Sequence, residues 1–295
     1  MSIRGWAKKK SKLDPKRRPI NILASVFTTL NLYCGVLSIF ASFGQEFEKA
    51  ALLILCALLF DAFDGFIARL TQTNSEFGKE LDSLCDMVSF GLAPAMLVFS
   101  AYIPDTTMHA SPFSSRAESI IGKTGSYMAI IYVICAALRL ARFNTFQAGR
   151  RDSFIGLPSP AAATSVATFV LFLQYFEPKL ATIPNGVLAY YALGPLALIV
   201  ALLMVSTVPY PRNRLRSFLL SPRHAFRALG TFAFAVAIIH YAFSTSPYLV
   251  LFPLTAVYVL FGLADYTYTH ISAYLMRRRS STSEGKHSTP HPLNP

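Results

Sequence analysis

The chain has 295 residues, 53% hydrophobic and only 14% charged, with a mean hydropathy of +0.44. That balance excludes a soluble domain and describes a polytopic membrane protein. The net charge of +12 is met by basic loops and a basic arm, so nothing beyond charge supports nucleic-acid binding.

In chain order, residues 1–20 form a basic polar arm with eight Lys and Arg. Lys8 to Lys10, Lys16, Arg17 and Arg18 could form a belt attracting anionic lipid, each worth roughly 1 kcal/mol near the surface. Apolar runs of spanning length follow near 21–42, 49–69, 84–104, 124–141, 159–176, 186–208, 228–244 and 247–265. The expected fold class is all-α, a membrane bundle of about eight transmembrane helices. A cleavable signal peptide is not expected, because the first run is long, carries Thr28 and Asn31, and has no clean small-residue cleavage site. Pro158 and Pro160 open the fifth helix, Pro209 and Pro211 break the sixth, and residues 280–295 are expected to be disordered. Cys34, Cys56, Cys85 and Cys135 all fall in spans without ligand spacing and read as small apolar residues.

Charge sets the orientation. With the N-terminus inside, inner segments hold 23 of the 27 Lys and Arg, and the outer loops only Lys49, Arg116, Lys123 and Lys179. This bias predicts a multi-pass protein with both termini cytoplasmic. It also places the turn near 70–81 at the cytoplasmic surface.

That turn joins the most informative residues. Asp61, Asp64, Gly65, Ala68 and Arg69 share one helical face, and Gly78, Asp82 and Asp86 share a face of the next helix. Four carboxylates and one nearby Arg do not neutralise each other, and carboxylates among apolar helices are costly unless paired or metal-bound. The pattern points to hard divalent cations, Mg²⁺ or Mn²⁺, with room for two ions sharing bridging carboxylates. Such ion pairs serve displacement at phosphorus. Gly65 and Ala68 either let a ligand approach the backbone or allow close helix packing. Gly78 either serves that ligand or is a turn residue.

The spacing Asp-x2-Asp-Gly-x2-Ala-Arg-x8-Gly-x3-Asp-x3-Asp, matched at every position from Asp61 to Asp86, resembles the signature of the CDP-alcohol phosphatidyltransferases. The resemblance implies that Asp61, Asp64, Asp82 and Asp86 hold two divalent metals. It further implies that Gly65, Ala68, Arg69 and Gly78 bind the CDP moiety and that Asp86 is the general base. Segments 28–35, 86–95, 137–144, 154–161 and 204–211 resemble the CDP-diacylglycerol–serine O-phosphatidyltransferases within that family, so likeness covers about residues 20–212. It implies a catalytic membrane core over 21–208, while hydropathy and charge predict a basic cytoplasmic loop over 209–227, two further helices over 228–266 and a cytoplasmic tail over 267–295. The resemblance also implies a homodimer; the expected location is a bacterial inner membrane, and the charge bias turns the active site toward the cytoplasm.

Arg139 and Arg142 end the fourth helix on one face. They either anchor the interface or meet an anion, since a guanidinium fork suits carboxylate or phosphate. Sequence does not separate their partners, and Arg142 is assigned to serine only because it lies nearer the cytoplasmic mouth. Asn144 orients the serine amine or caps the helix. Thr28 and Asn31 contact cytidine or phosphate, or hydrogen-bond between helices. Arg150, Arg151 and Asp152 read as a solvated basic loop. The expected reaction takes CDP-diacylglycerol and L-serine, among membrane lipids, to phosphatidylserine and CMP. The alternatives are the same chemistry on glycerol phosphate, inositol phosphate or choline, and a divalent-cation transporter.

Overall fold

The computed structural model describes residues 22–71, 76–102, 115–147, 153–176, 187–211 and 247–284. The helices are α1 (Ile22–Phe43), α2 (Phe47–Thr71), α3 (Glu76–Asp86), α4 (Ala93–Ala101), α5 (Ser115–Arg142), α6 (Ser159–Phe176), α7 (Val187–Val205) and α8 (Pro247–Glu284). A π-helical turn, Met87–Leu92, joins α3 to α4, and a second, Phe143–Gln147, follows α5. Six stretches among the described residues are long and apolar enough to cross a membrane: Leu23–Phe43, Phe47–Thr71, Glu76–Ala101, Lys123–Thr145, Ser159–Phe176 and Tyr248–Thr267. Ala192–Val205 in α7 is a shorter apolar helix. This is an integral membrane protein of all-α class. The expected helix at 228–244, the arm 1–20 and the loop 150–152 lie outside the described residues, so a count of eight spans is not reached.

Helices α2, α6 and α7 each bury a narrow stripe rich in small side chains. Ala50, Ala51, Ile54 and Ala57 of α2, Ala162, Ala163, Val166, Ala167 and Val170 of α6, and Leu193, Ala197, Val200, Ala201 and Met204 of α7 are all buried. These i, i+3, i+4, i+7 sets let backbones approach where lipid offers no hydrophobic contrast. The opposite faces carry large exposed apolar residues, among them Leu59, Phe66, Ile134 and Leu202, as lipid-facing surfaces must.

Helices α1 and α2 form a tight hairpin. Its turn places Gln45 at φ 60, while the Gln45 Nε2 donates to Ser100 O at 3.3 Å and ties the turn to α4. Phe27 packs on Phe60 and Phe63 with ring centroids 6.3 and 5.9 Å apart. The π turn at 87–92 is held from both sides. The buried Ser89 hydroxyl donates to Asn31 O at 3.0 Å, and the buried Tyr132 hydroxyl donates to Phe90 O at 3.3 Å. Gly35 lies directly against Ser89: a Cβ there would sit 2.9 Å from Ser89 Cα and collide with its hydroxyl. A π turn lacks some α-type hydrogen bonds and is found at functional sites, and here it immediately follows Asp86.

One expectation is corrected, and one small feature is added to the all-α class. The last helix does not stop near 265 but runs to Glu284, so residues 280–284 are helical rather than disordered. Nothing from Ala273 to Glu284 breaks a helix, and water beyond a membrane face does not end one; the first Gly or Pro after this stretch is Gly285. The all-α bundle also contains one antiparallel pair, β1 (Ser153–Ile155) with β2 (Pro209–Pro211), in the register Ser153↔Pro211, Phe154↔Tyr210 and Ile155↔Pro209. Residues preceding Pro209 and Pro211 are biased to extended backbone, which favours a short strand after α7. Helix α8 packs on α6 through Phe169 and Phe252, ring centroids 4.9 Å apart, and through hydroxyls of Thr168 and Thr255 at 3.1 Å. The Tyr248 hydroxyl donates to Glu48 Oε1 at 2.7 Å, fixing the start of α8 to the start of α2. The cysteines are free thiols: Cys34, Cys85 and Cys135 are buried and Cys56 is exposed.

Candidate active site: an acidic cluster and two unlike arginines

The C-terminal halves of α2 and α3 bring the predicted acids together. One carboxylate oxygen from each of Asp61, Asp64 and Asp82 lies within 4.8 Å of the others. Asp64 is buried, while Asp61 and Asp82 are half-buried. Thr28 of α1 stands beside the Asp64 carboxylate, with its own hydroxyl donating to Ala24 O at 3.0 Å. Asp86 closes α3 one turn beyond Asp82. It accepts a hydrogen bond from Asn31 Nδ2 at 3.3 Å and lies within electrostatic reach of Asp61, Asp64, Asp82 and Arg139. The set of three therefore shares one point, and Asp86 flanks it.

Buried oxygens in this cluster lack protein partners. Asp64 Oδ2 and Asp82 Oδ1 accept no hydrogen bond, and neither does Asn31 Oδ1 beside Asp86. Buried polar atoms are ordinarily satisfied, because an unmet acceptor costs about 1–3 kcal/mol. Three converging carboxylates, two of them with unmet buried oxygens, fit a divalent cation with oxygen ligands, so the residues suit a metal of that class.

The small residues leave space. Gly65 is half-buried, and a Cβ built on it meets only Arg69 Nη2, at 3.9 Å. Helix packing therefore does not require glycine at 65. Ala68 and Gly78 are half-buried as well, and exposed Arg69 donates from Nε to Gly65 O at 2.7 Å. The face bearing Gly65, Ala68 and Arg69 is open beside the acids.

The two arginines at the end of α5 behave differently. Arg139 is buried, its Nη1 donates to Ser159 Oγ at 2.7 Å, and its guanidinium lies over the Phe143 ring at 5.3 Å. It faces Asp86 and Asp61 electrostatically, and Tyr258 of α8 comes within the same reach. Arg142 instead donates to backbone carbonyls: Nη1 to Val205 O at 3.0 Å, Nη2 to Met204 O at 3.0 Å and to Ser206 O at 3.2 Å. Asn144, exposed, donates from Nδ2 to Ser83 Oγ at 3.0 Å, linking the second π turn to the residue after Asp82. Ser159, Ser83 and Phe143 carried no assignment from sequence. Only the Leu-Pro-Ser-Pro run at 157–160 hinted at Ser159.

Residues 21–207 match the family model described as CDP-alcohol phosphatidyltransferase. The chain belongs to the CDP-alcohol phosphatidyltransferase family. The acidic cluster and both arginines lie inside the matched region, and α8 lies beyond it. Among curated relatives, a CDP-diacylglycerol–serine O-phosphatidyltransferase of Helicobacter pylori is 34% identical over 194 residues, 65% of this chain and 73% of the relative. An archaetidylserine synthase of Methanothermobacter thermautotrophicus is 34% identical over 68% of this chain and 73% of its own. A CDP-diacylglycerol–serine O-phosphatidyltransferase of Bacillus subtilis is 32% identical over 65% of this chain and 91% of its own. These names differ in the lipid group and agree on serine.

Proposed function

We propose that this family member transfers the phosphatidyl group of CDP-diacylglycerol to L-serine, giving phosphatidylserine and CMP. The observation that carries the reading is the convergence of Asp61, Asp64 and Asp82, with unmet buried oxygens, beside an open small-residue face in a chain whose relatives are named for serine transfer.

Asp61, Asp64 and Asp82 would hold divalent metal, Mg²⁺ or Mn²⁺, with Asp86 available to a second ion. Such ions supply electrostatic stabilisation of the phosphoryl oxygens and the leaving nucleotide. Gly65, Ala68 and Gly78 leave room for the nucleotide, and exposed Arg69 offers it a charged donor. Asp86 takes the proton of the serine hydroxyl, held in place by Asn31. The serine oxygen forms a bond to the phosphorus that carries diacylglycerol. The bond from that phosphorus to the CMP oxygen breaks, and CMP leaves with the electron pair. Arg139, directed by Ser159, is the cation suited to the serine carboxylate. Thr28 supports Asp64, and Asn144 supports the second half of α3 through Ser83. The positive-inside bias supports a site opening to the cytoplasm, with both termini on that side of a bacterial inner membrane. The family resemblance supports a homodimer.

The test is product identification. Purified protein receives CDP-diacylglycerol with Mg²⁺ or Mn²⁺ and, separately, serine, glycerol phosphate, inositol phosphate or choline. Phosphatidylserine together with CMP is expected, and only with serine. A lipid product with another alcohol alone overturns the acceptor. Ion flux into proteoliposomes without CMP release would make the acidic cluster a transport site instead.

A further inference from the structure

We infer that Arg142 is a positioning residue: it clasps the end of α7, to which the segment entering α6 is bonded, onto α5 and so sets Ser159 against Arg139. The inference rests on the serine-transfer reading for what it predicts about KM, and on geometry alone for the clasp.

A helix leaves its last carbonyls without intrahelical partners. In α7, the carbonyls of Met204 and Val205, together with that of Ser206 just beyond, all accept from the Arg142 guanidinium. The same spot receives the segment before α6. Gly156 stands at φ +85, a backbone conformation natural to glycine. A Cβ on Gly156 would run into Met204 O and Arg142 Nη2 and lie 3.1 Å from Ser206 O. Its N–H donates to Val208 O at 2.8 Å, and the Leu157 N–H donates to Leu203 O at 3.0 Å. The β1–β2 pairing continues the attachment from Ile155↔Pro209 outward.

Two residues past Leu157, Ser159 begins α6 and accepts from Arg139 Nη1. Arg139 and Arg142 therefore act in series. One guanidinium fixes where α6 starts, and the other is aimed by the first residue of that helix. A lysine at 142 keeps the charge but has no planar fork to serve several carbonyls at once. Gly156→Ala attacks the clasp from the opposite side while leaving Arg142 intact.

The experiment compares wild type, Arg142→Lys and Gly156→Ala as purified full-length protein in detergent. Hydrogen exchange is followed in the peptide containing Gly156 and Leu157, and steady-state KM is measured for serine and for CDP-diacylglycerol. Both variants are expected to raise exchange at these two amides by roughly 10-fold or more, since local opening follows loss of local bonds. Both should raise the serine KM by about 10-fold and leave the CDP-diacylglycerol KM within about twofold, because uniform binding of one substrate is what is lost. The double variant should be little worse than either single one, as expected for two members of one unit. If Arg142→Lys does not fold, Gly156→Ala decides by the same two readouts. Unchanged exchange in a folded variant overturns the clasp. Raised exchange with an unmoved serine KM overturns its coupling to Arg139. A wild-type enzyme that uses another alcohol overturns the serine reading, while the exchange data still judge the clasp and the KM for that alcohol judges the coupling.

Discussion

Two polar regions stand at the same end of the bundle and are built on opposite rules. Around Arg142 the charged group is matched to backbone: one guanidinium donates to three carbonyls, and the adjacent amides of Gly156 and Leu157 donate to two more. Around Asp61, Asp64 and Asp82 like charges crowd together, and buried oxygens on Asp64 and Asp82 accept from no protein donor. A fully bonded polar region holds a fold together. A region with converging unmet acceptors is incomplete as protein and is completed by what it binds. The contrast separates two arginines that the sequence presents as a pair.

The largest expected effect breaks the incomplete region. Asp61→Asn, Asp64→Asn and Asp82→Asn should each lower kcat/KM by at least ~100-fold, in line with loss of an electrostatic clamp on the transition state. Without divalent metal the same variants should unfold at a higher temperature than wild type, because like-charge repulsion is relieved. Added Mg²⁺ or Mn²⁺ should stabilise wild type and not the variants. Thermal unfolding with and without metal checks this; a variant with wild-type activity ends the metal assignment.

Asp86→Asn sharpens the distinction within the acids. Asp86 flanks the shared point and is held by Asn31, so turnover should fall by roughly 100-fold or more, as for loss of a general base, while CDP still binds in the presence of metal. Calorimetric titration with CDP reads this directly. Loss of CDP binding equal to that in Asp61→Asn would make Asp86 chiefly a metal ligand.

A smaller effect is expected where the two regions meet. Ser159→Ala removes the acceptor that aims Arg139, and should raise the serine KM by about 5- to 10-fold, about 1–1.4 kcal/mol, within the range for a typical intramolecular hydrogen bond. Steady-state kinetics with each substrate varied in turn checks it. An unchanged serine KM would detach Arg139 from serine.

The smallest effect lies outside both regions. Deleting residues 2–16 leaves Arg17 and Arg18 for topology, and kcat in detergent should stay within about threefold, under ~1 kcal/mol of barrier. In vesicles, the truncated enzyme should lose part of its dependence on anionic lipid, measured at rising phosphatidylglycerol and two salt concentrations. A folded but inactive truncation would place the arm in the active site.

The sequence by itself determined the membrane class and the acidic face, because both are periodic. Apolar runs of spanning length and carboxylates spaced by three and four residues have one economical reading in a helix. Asp61, Asp64 and Asp82 could be placed together before any coordinates, since a short turn joins their helices. Only the tertiary structure decided what Arg139 and Arg142 do. Both sit on one face of α5 and carry the same group, but their partners come from Ser159 and from the end of α7, 20 to 64 residues away in the chain. The same holds for Asn31 on Asp86, for Asn31 O under the Ser89 hydroxyl and for Gly35 against Ser89, contacts made across 54 to 58 residues. Such contacts leave no local period to read. The length of α8 was missed for the converse reason: hydropathy reports where a helix leaves the apolar layer, and helix propensity, which continues to Glu284, reports where it ends.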